Sequence, residues 1–179
     1  MADWTLSPPG SFRDWLRIYA LYHTAFPGSE RKPFGVIRRM VRQGRTDLWC
    51  IRSRGRFLGF AATVNSPDVI LLDYLAVSPG HRGCGCGSAA LELLKQIYAG
   101  KGLFVEIEDT APSGSTQPQR LRRKRFYTRA GMVPMGVCAM VFGVPMELLG
   151  WNCTLDFPGY QSFYRNHYSP WAAEHIQPL

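Results

Sequence analysis

Three glycines alternate with other small residues in the segment Arg82-Gly83-Cys84-Gly85-Cys86-Gly87-Ser88. The segment follows a nearly continuous apolar run, Val69–Val77, which predicts a central strand buried on both faces. It precedes a strong helical pattern at 88–98. Backbone N–H groups at such a junction, together with the helix dipole, bind anions, and glycine lets a phosphate approach closely because it has no Cβ. The loop therefore predicts a ligand that carries phosphate.

A dinucleotide is the first class of ligand that fits this loop. Residues 85–90 formally match the G-x-G-x-x-G/A fingerprint, and Glu106 and Glu108 follow at about the distance that this motif requires. Three features weigh against it. Seven residues separate Val77 from Gly85, only one strand-loop-helix-strand unit is present, and the strands upstream form a hairpin, whereas a doubly wound fold needs two halves.

Coenzyme A is the second class, and here the sequence resembles a known family. Residues 82–87 are similar to the Arg/Gln-x-x-Gly-x-Gly/Ala motif of the GNAT N-acetyltransferases, and 75–79 resemble the strand segment that precedes it. Residues 123–132 resemble the R-x-x-F-Y-x-x-x-G-F segment of that family, with Met132 where Phe is usual. The order of the predicted elements also agrees over about 4–149. The two motifs are specific in combination, although either alone would be weak.

The resemblance implies an α/β fold with a mixed, mostly antiparallel central sheet, flanking helices and a splayed strand pair at the acyl-CoA site. We expect one domain over residues 1–179, with a core of about 4–150 and an extension, 151–179, that packs on the core through a short helix. Hydrophobic spacing and turn residues predict helices at 12–22, 34–43, 88–98 and 120–130, and strands at 48–53, 56–65, 69–77, 103–108, 132–143 and 144–149.

The resemblance also implies where acetyl-CoA binds. The pantetheine arm would pair with the backbone of Leu75, Ala76 and Val77, and the Val77 N–H would donate to the thioester carbonyl. Arg123 and Phe126 are further expected contacts of the coenzyme. The pyrophosphate would lie on the loop residues Arg82, Gly83, Cys84, Gly85, Cys86, Gly87 and Ser88.

Catalysis in this family needs no enzyme nucleophile, because a neutral amine attacks the thioester directly in a ternary complex. Tyr127 aligns with the tyrosine that protonates the leaving thiolate, although a packing role is the alternative. Two carboxylates, Asp73 and Glu108, are equal candidates for the general base, and Glu30 is a candidate for binding the acceptor. Each of these three carboxylates could instead be solvated or ion-paired.

A formal net charge of +8 favours anionic partners or a basic surface. Residues 120–129 contain six of the cations, and three interpretations rank in this order: a solvated helix face, contacts with CoA phosphates through Arg122 or Arg123, and nucleic-acid binding. No interleaved aromatics support a single-strand platform, so nucleic acid is not the partner that we expect.

Five cysteines without Cys-x-x-Cys spacing predict neither a metal site nor a disulfide scaffold, and we expect reducing cytoplasm. The sequence shows no signal-peptide pattern and no apolar run long enough to span a membrane. The predicted reaction is acetyl transfer to a primary amine of a small molecule or peptide, and a homodimer is compatible with it. A non-catalytic acyl-CoA-binding module and a dinucleotide-binding protein are the alternatives.

Overall fold

The computed structural model describes residues 3–179, which form eight strands and six helices. In chain order these are β1 (Trp4–Ser7), α1 (Phe12–Ala25), α2 (Phe34–Arg42), β2 (Thr46–Ser53), β3 (Arg56–Asn65), β4 (Val69–Val77), α3 (Cys86–Ile97), β5 (Gly102–Glu108), α4 (Gln117–Arg129), β6 (Val133–Val141), β7 (Val144–Trp151), α5 (Phe157–His167), α6 (Pro170–Glu174) and β8 (Ile176–Pro178).

The strands form a mixed, mostly antiparallel sheet in the order β1-β2-β3-β4-β5-β7-β6-β8, which confirms the predicted fold class. The chain divides into two compact units. The first comprises the described residues up to Asn65 together with Leu72–Ala99, and the second comprises Ser66–Leu71 and Gly100–Leu179. The expectation of one domain with an extension at 151–179 stays a prediction.

In the first unit, α1 and α2 pack against a hydrophobic core under β2, β3 and β4. Ser11 begins α1 with a capping box, in which the Ser11 side chain accepts from the Asp14 N–H and the Asp14 carboxylate accepts from the Ser11 N–H. The buried side chains of this core are Ile18, Leu21, Tyr22, Ile37, Leu48, Cys50, Phe60, Ala62, Tyr74 and Ala76.

In the second unit, β4 and β5 run parallel over three residue pairs, from Val69 opposite Gly102 to Leu71 opposite Phe104. Both strands continue beyond these pairs, to Val77 and to Glu108. The strand β5 then pairs antiparallel with β7, and β7 with β6. The tail forms two helices and the strand β8, which pairs with β6; the sequence predicted a single helix there.

The sequence prediction needs correction in several details. No strand was predicted at Trp4–Ser7, where the structure has β1. The strand β4 is buried on both faces only over residues 70–72, because Asp73, Leu75 and Val77 lie on one partly exposed face. The helix α3 begins at Cys86, two residues earlier than predicted, and α4 begins three residues earlier, at Gln117. Among residues 3–179, no helix is long and apolar enough to cross a membrane.

Candidate active site

The glycine loop leads directly into the N-terminus of α3. Gly85 is the N-cap with φ 87° and Gly83 has φ 79°, both in the left-handed region that glycine tolerates best. The first helical hydrogen bond runs from the Ala89 N–H to the Gly85 carbonyl at 2.9 Å. The three amides at 86–88 therefore precede the helical ladder, and a glycine N-cap offers them no side-chain acceptor. Together with the helix dipole they form a cradle for an anion.

Two side chains of the loop bind neighbouring backbone carbonyls. The Arg82 Nε donates to the Val77 carbonyl at 3.2 Å, which holds the exposed guanidinium beside the end of β4. The exposed Cys84 thiol donates to the His81 carbonyl at 2.8 Å. Cys86 is buried, and burial raises the pKa of its thiol to about 11. Cys86 therefore stays a neutral thiol at pH 7, which argues against a redox pair with Cys84.

The end of β4 is held in place by β3. The Ser78 N–H donates to the Leu58 carbonyl at 2.8 Å. A Cβ at Gly59 would lie only 2.3 Å from the Ala76 carbonyl oxygen, so β3 approaches this segment at a distance that only glycine permits. The partly buried side chains of Leu75 and Val77 pack against a small apolar cluster, which comprises Ile51, Leu58, Cys86 and Ala90. Residues 75–77 therefore have a fixed position next to the glycine loop.

Asp73 lies on β4 and has a cationic partner. The Lys32 Nζ donates to the Asp73 carboxylate at 2.5 Å, and the carboxylate side chain is only 9% exposed. The neighbouring Tyr74 hydroxyl donates to the Glu30 carbonyl at 3.0 Å and lies 3.1 Å from the Tyr22 hydroxyl. Burial, followed by the nearby Asp73 charge, raises the pKa of Tyr74 far above its usual range. This cluster ties the connector between α1 and α2 to β4.

Glu106 and Glu108 lie on the same face of β5, but their surroundings differ. The Glu106 carboxylate accepts hydrogen bonds from the Tyr160 hydroxyl at 2.6 Å and from the Tyr164 hydroxyl at 2.8 Å. Both tyrosines are buried, so Glu106 anchors α5 to the sheet. The Glu108 side chain is partly exposed at the end of β5 and forms no ion pair or hydrogen bond with the described residues. Of the two, only Glu108 is available for another role.

Tyr127 lies in the last turn of α4 and is buried, with 7% of its surface exposed. The Phe126 ring meets its ring edge-on, with the centroids 5.0 Å apart. Burial raises the pKa of Tyr127 to about 12, although the nearby Arg123 charge opposes this increase. The phenol is therefore fully protonated at neutral pH and can donate a proton.

Two cations of α4, Arg120 and Lys124, bind other residues of the second unit, so the basic run is only in part a solvated helix face. Arg120 donates to the carbonyls of Asp109 and Pro112 at 2.7 and 2.6 Å. The Lys124 Nζ donates to the Glu147 carboxylate at 2.5 Å. Glu147 was not among the residues predicted from the sequence, although a carboxylate within the apolar run at 144–149 is a signal that could have revealed it.

The Glu147 carboxylate is also bound by Thr110, whose hydroxyl donates to it at 2.7 Å. Replacing Lys124 by Met would leave this charge buried without its cation, because Glu147 is only 7% exposed. We expect the free energy of unfolding in urea to fall by about 2 to 3 kcal/mol, less than for a fully buried pair because Lys124 is partly solvated. Lys124→Met/Glu147→Gln should recover most of this loss, and a loss below about 0.5 kcal/mol in Lys124→Met would contradict the role of the pair.

A family model decides the identity of the fold. The model of the Acetyltransferase (GNAT) family matches residues 15–132, which include the strand β4, the glycine loop and Tyr127. The chain belongs to the GNAT acetyltransferase family. GNAT membership agrees with the resemblance seen in the sequence and removes the doubly wound dinucleotide fold from consideration. Among residues 3–179, no group of three or more His, Cys, Asp or Glu side chains could hold a metal ion.

Solved GNAT structures share this fold. The chain is similar to a protein from Bacteroides thetaiotaomicron that is placed in the GNAT family, with 18% identity and a TM-score of 0.75 over 95% of this chain and 98% of that one. It is similar to an aminoglycoside 6'-N-acetyltransferase complexed with coenzyme A, with 12% identity and a TM-score of 0.65 over 82% of this chain and 96% of that one. It is also similar to Arabidopsis thaliana NAA60 in complex with acetyl-CoA, with 14% identity and a TM-score of 0.64 over 83% of this chain and 97% of that one. No curated protein sequence matches this chain significantly.

Proposed function

We propose that this protein is an N-acetyltransferase that moves the acetyl group of acetyl-CoA to a primary amine of a small molecule or peptide. The observation that carries the proposal is the N-terminus of α3, where the glycine N-cap Gly85 supplies no side-chain acceptor to the first amides of the helix. This N-terminus follows the loop that resembles the pyrophosphate motif of the GNAT family. Membership of the family and neighbours solved with coenzyme A or acetyl-CoA support the choice of donor.

In this proposal the loop from Arg82 to Ser88 binds the pyrophosphate through its amides and the Arg82 guanidinium. The pantetheine arm pairs with the backbone of residues 75–77, and the Val77 N–H stabilises the oxyanion that develops on the thioester carbonyl. Arg123 and Phe126 contact the coenzyme from α4. The Gly59 contact supports these roles, because it fixes the backbone at which the thioester would lie.

The chemistry proceeds by direct attack in a ternary complex. The amine nitrogen forms a bond to the thioester carbon while the bond from carbon to sulfur breaks, so the acetyl group moves once and the electron pair leaves on sulfur. Tyr127 gives the CoA thiolate a proton, and a base removes one from the attacking amine. We propose Glu108 as that base, because its carboxylate has no partner among residues 3–179, whereas Asp73 pairs with Lys32. Glu30 is proposed to contact the acceptor.

Two isosteric substitutions separate the candidate bases. Glu108→Gln should lower kcat/KM for the amine about 10- to 100-fold near pH 7, with recovery at higher pH as the amine loses its own proton to water. Asp73→Asn should change kcat by less than about threefold, because it removes a partner of Lys32 and not the base. Initial rates between pH 6.5 and 9.5 measure both effects. The opposite ranking would assign the base to Asp73.

An acceptor screen tests the proposed activity. The protein is incubated with acetyl-CoA and a panel of aminoglycosides, polyamines, amino acids and peptides, and the released CoA thiol is detected with a thiol reagent. Because Cys84 and Cys138 are exposed, a blank without acceptor is subtracted. Thiol release that requires one class of amine supports the proposal. Acetyl-CoA binding without turnover on any amine would instead indicate an acyl-CoA-binding module.

All five cysteines are free, which fits the cytoplasmic location that we also propose.

A further inference from the structure

Positive charge is concentrated near the start of the chain. The first 65 residues hold eleven of the 21 Lys and Arg residues but only four of the 13 Asp and Glu residues, so they carry +7 of the formal net charge of +8. Ten of these eleven cations are arginines. This imbalance indicates a partner with negative charge on the side of the molecule where these residues are exposed.

The helix α1 also presents a stripe of large apolar side chains. Phe12 is 76% exposed, Leu16 51% and Tyr19 47%. At 3.6 residues per turn, these positions fall on one side of the helix, away from the side that buries Ile18 and Tyr22. A single exposed apolar residue is ordinary, but three aligned on one helix are typical of a surface that binds a partner.

Arginines lie on both sides of this stripe. On α1, Arg13 and Arg17 are exposed one step further around the helix. On the other side, the Arg38 guanidinium of α2 lies 5.7 Å from the centre of the Trp15 ring. None of these three guanidinium groups forms an ion pair or side-chain hydrogen bond with residues 3–179. The Asp14 carboxylate, the acidic group of α1, is already bound by Arg52 at 2.6 Å.

We propose that the α1–α2 surface docks an acidic, amphipathic segment of a partner protein. The α1–α2 surface is defined by the stripe Phe12, Leu16 and Tyr19 and by the flanking Arg13, Arg17 and Arg38. Apolar side chains of the partner would cover the stripe, and its Asp and Glu side chains would pair with the arginines on both sides. The proposal does not depend on acetyl transfer.

Two observations favour a protein over a nucleic acid or a membrane. Arginine forms bidentate pairs with carboxylates, and protein interfaces are enriched in arginine and aromatic residues and depleted in lysine. Binding to phosphate backbones or anionic lipids uses lysine as readily, yet the first 65 residues contain only Lys32. The stripe also runs along a single helix, and Leu16 within it cannot stack on a base, which fits the apolar face of an amphipathic helix better than a nucleic acid.

A synthetic probe tests this surface directly. The probe is a fluorescein-labelled helical peptide of about 18 residues with leucine along one face and glutamate elsewhere, and its anisotropy is measured with the full-length protein. We expect saturable binding that Arg13→Glu/Arg17→Glu weakens at least about tenfold. Leu16→Ser/Tyr19→Ser should weaken it about fivefold. Arg56→Glu/Arg165→Glu changes net charge equally, at exposed positions outside the surface, and should alter affinity less than about twofold.

Three results would overturn the proposal. The first is the absence of saturable peptide binding up to about 1 mM. The second is an equal loss of affinity in the Arg56→Glu/Arg165→Glu control, which would indicate a non-specific charge effect. The third is tighter binding of a single-stranded RNA of similar length, or of phosphatidylserine vesicles, than of the peptide. The acetyl-CoA affinity and circular dichroism of each variant are measured in parallel, so a folding defect is not mistaken for a lost contact.

Discussion

Replacing Tyr127 by Phe is expected to lower kcat for acetyl transfer about 100-fold, while the KM for acetyl-CoA changes less than about threefold. The substitution removes the proton that the departing CoA thiolate needs and keeps the ring that packs against Phe126. Steady-state kinetics with the best acceptor from the screen measure both constants. Tyr19→Phe removes the hydroxyl of an exposed tyrosine of α1 and should leave kcat unchanged, which makes it the matched control.

The pH profile gives a second test of Tyr127 as the acid. Burial raises its pKa to about 12, so the phenol that donates the proton is present over the whole range from pH 6 to 10. The wild-type kcat should therefore not fall between pH 8 and 10, as it would if a group with a pKa near 9 had to be protonated. Full activity in Tyr127→Phe, or a wild-type decline centred near pH 9, would remove the assignment of Tyr127 as the acid.

Gly59→Ala is expected to have the largest effect on the framework of the site. The new methyl group would lie 2.3 Å from the Ala76 carbonyl oxygen and 3.0 Å from the Val77 Cα, so β3 and β4 must move apart. We expect a loss of about 3 kcal/mol in the free energy of unfolding. We also expect a KM for acetyl-CoA raised about tenfold, because residues 75–77 are the proposed partners of pantetheine.

Gly35→Ala provides the control for this substitution. A Cβ at Gly35 meets no atom within 4 Å, and the residue lies in α2, where alanine is the better helix former. This variant should be more stable by about 0.5 kcal/mol and keep the wild-type KM. Urea unfolding and acetyl-CoA kinetics are measured on both variants. Equal stability of the two would mean that the close approach of β3 to β4 is not required.

Local patterns made the centre of the molecule predictable. The strands β3 and β4 have the bounds that the sequence predicts, because alternating or continuous apolar runs end at turn residues such as Gly55. The glycine loop could also be predicted, because its alternating glycines are neighbours in the sequence. The start of α3 was placed two residues late, because Gly85 caps the helix through its backbone conformation and leaves no side-chain signal.

Partners that lie far apart in the chain could not be predicted. Lys32 and Asp73 are separated by 41 positions, and Lys124 and Glu147 by 23, so no local spacing connects either pair. Asp73 therefore looked as suitable a base as Glu108 until its partner was known. The short strand β8 has only three residues, and it follows from pairing with β6 and not from a pattern of its own.

The measurement that most directly tests the central claim is a calorimetric titration of the wild-type protein with acetyl-CoA and, separately, with NAD. If the amides at the start of α3 bind the pyrophosphate of acetyl-CoA, the titration should show saturable binding of acetyl-CoA with one site per chain. CoA should compete with this binding, and NAD should not bind. Gly85→Val should abolish this binding, because valine disfavours the φ of 87° at the N-cap. Saturable binding of NAD without binding of acetyl-CoA would contradict the account.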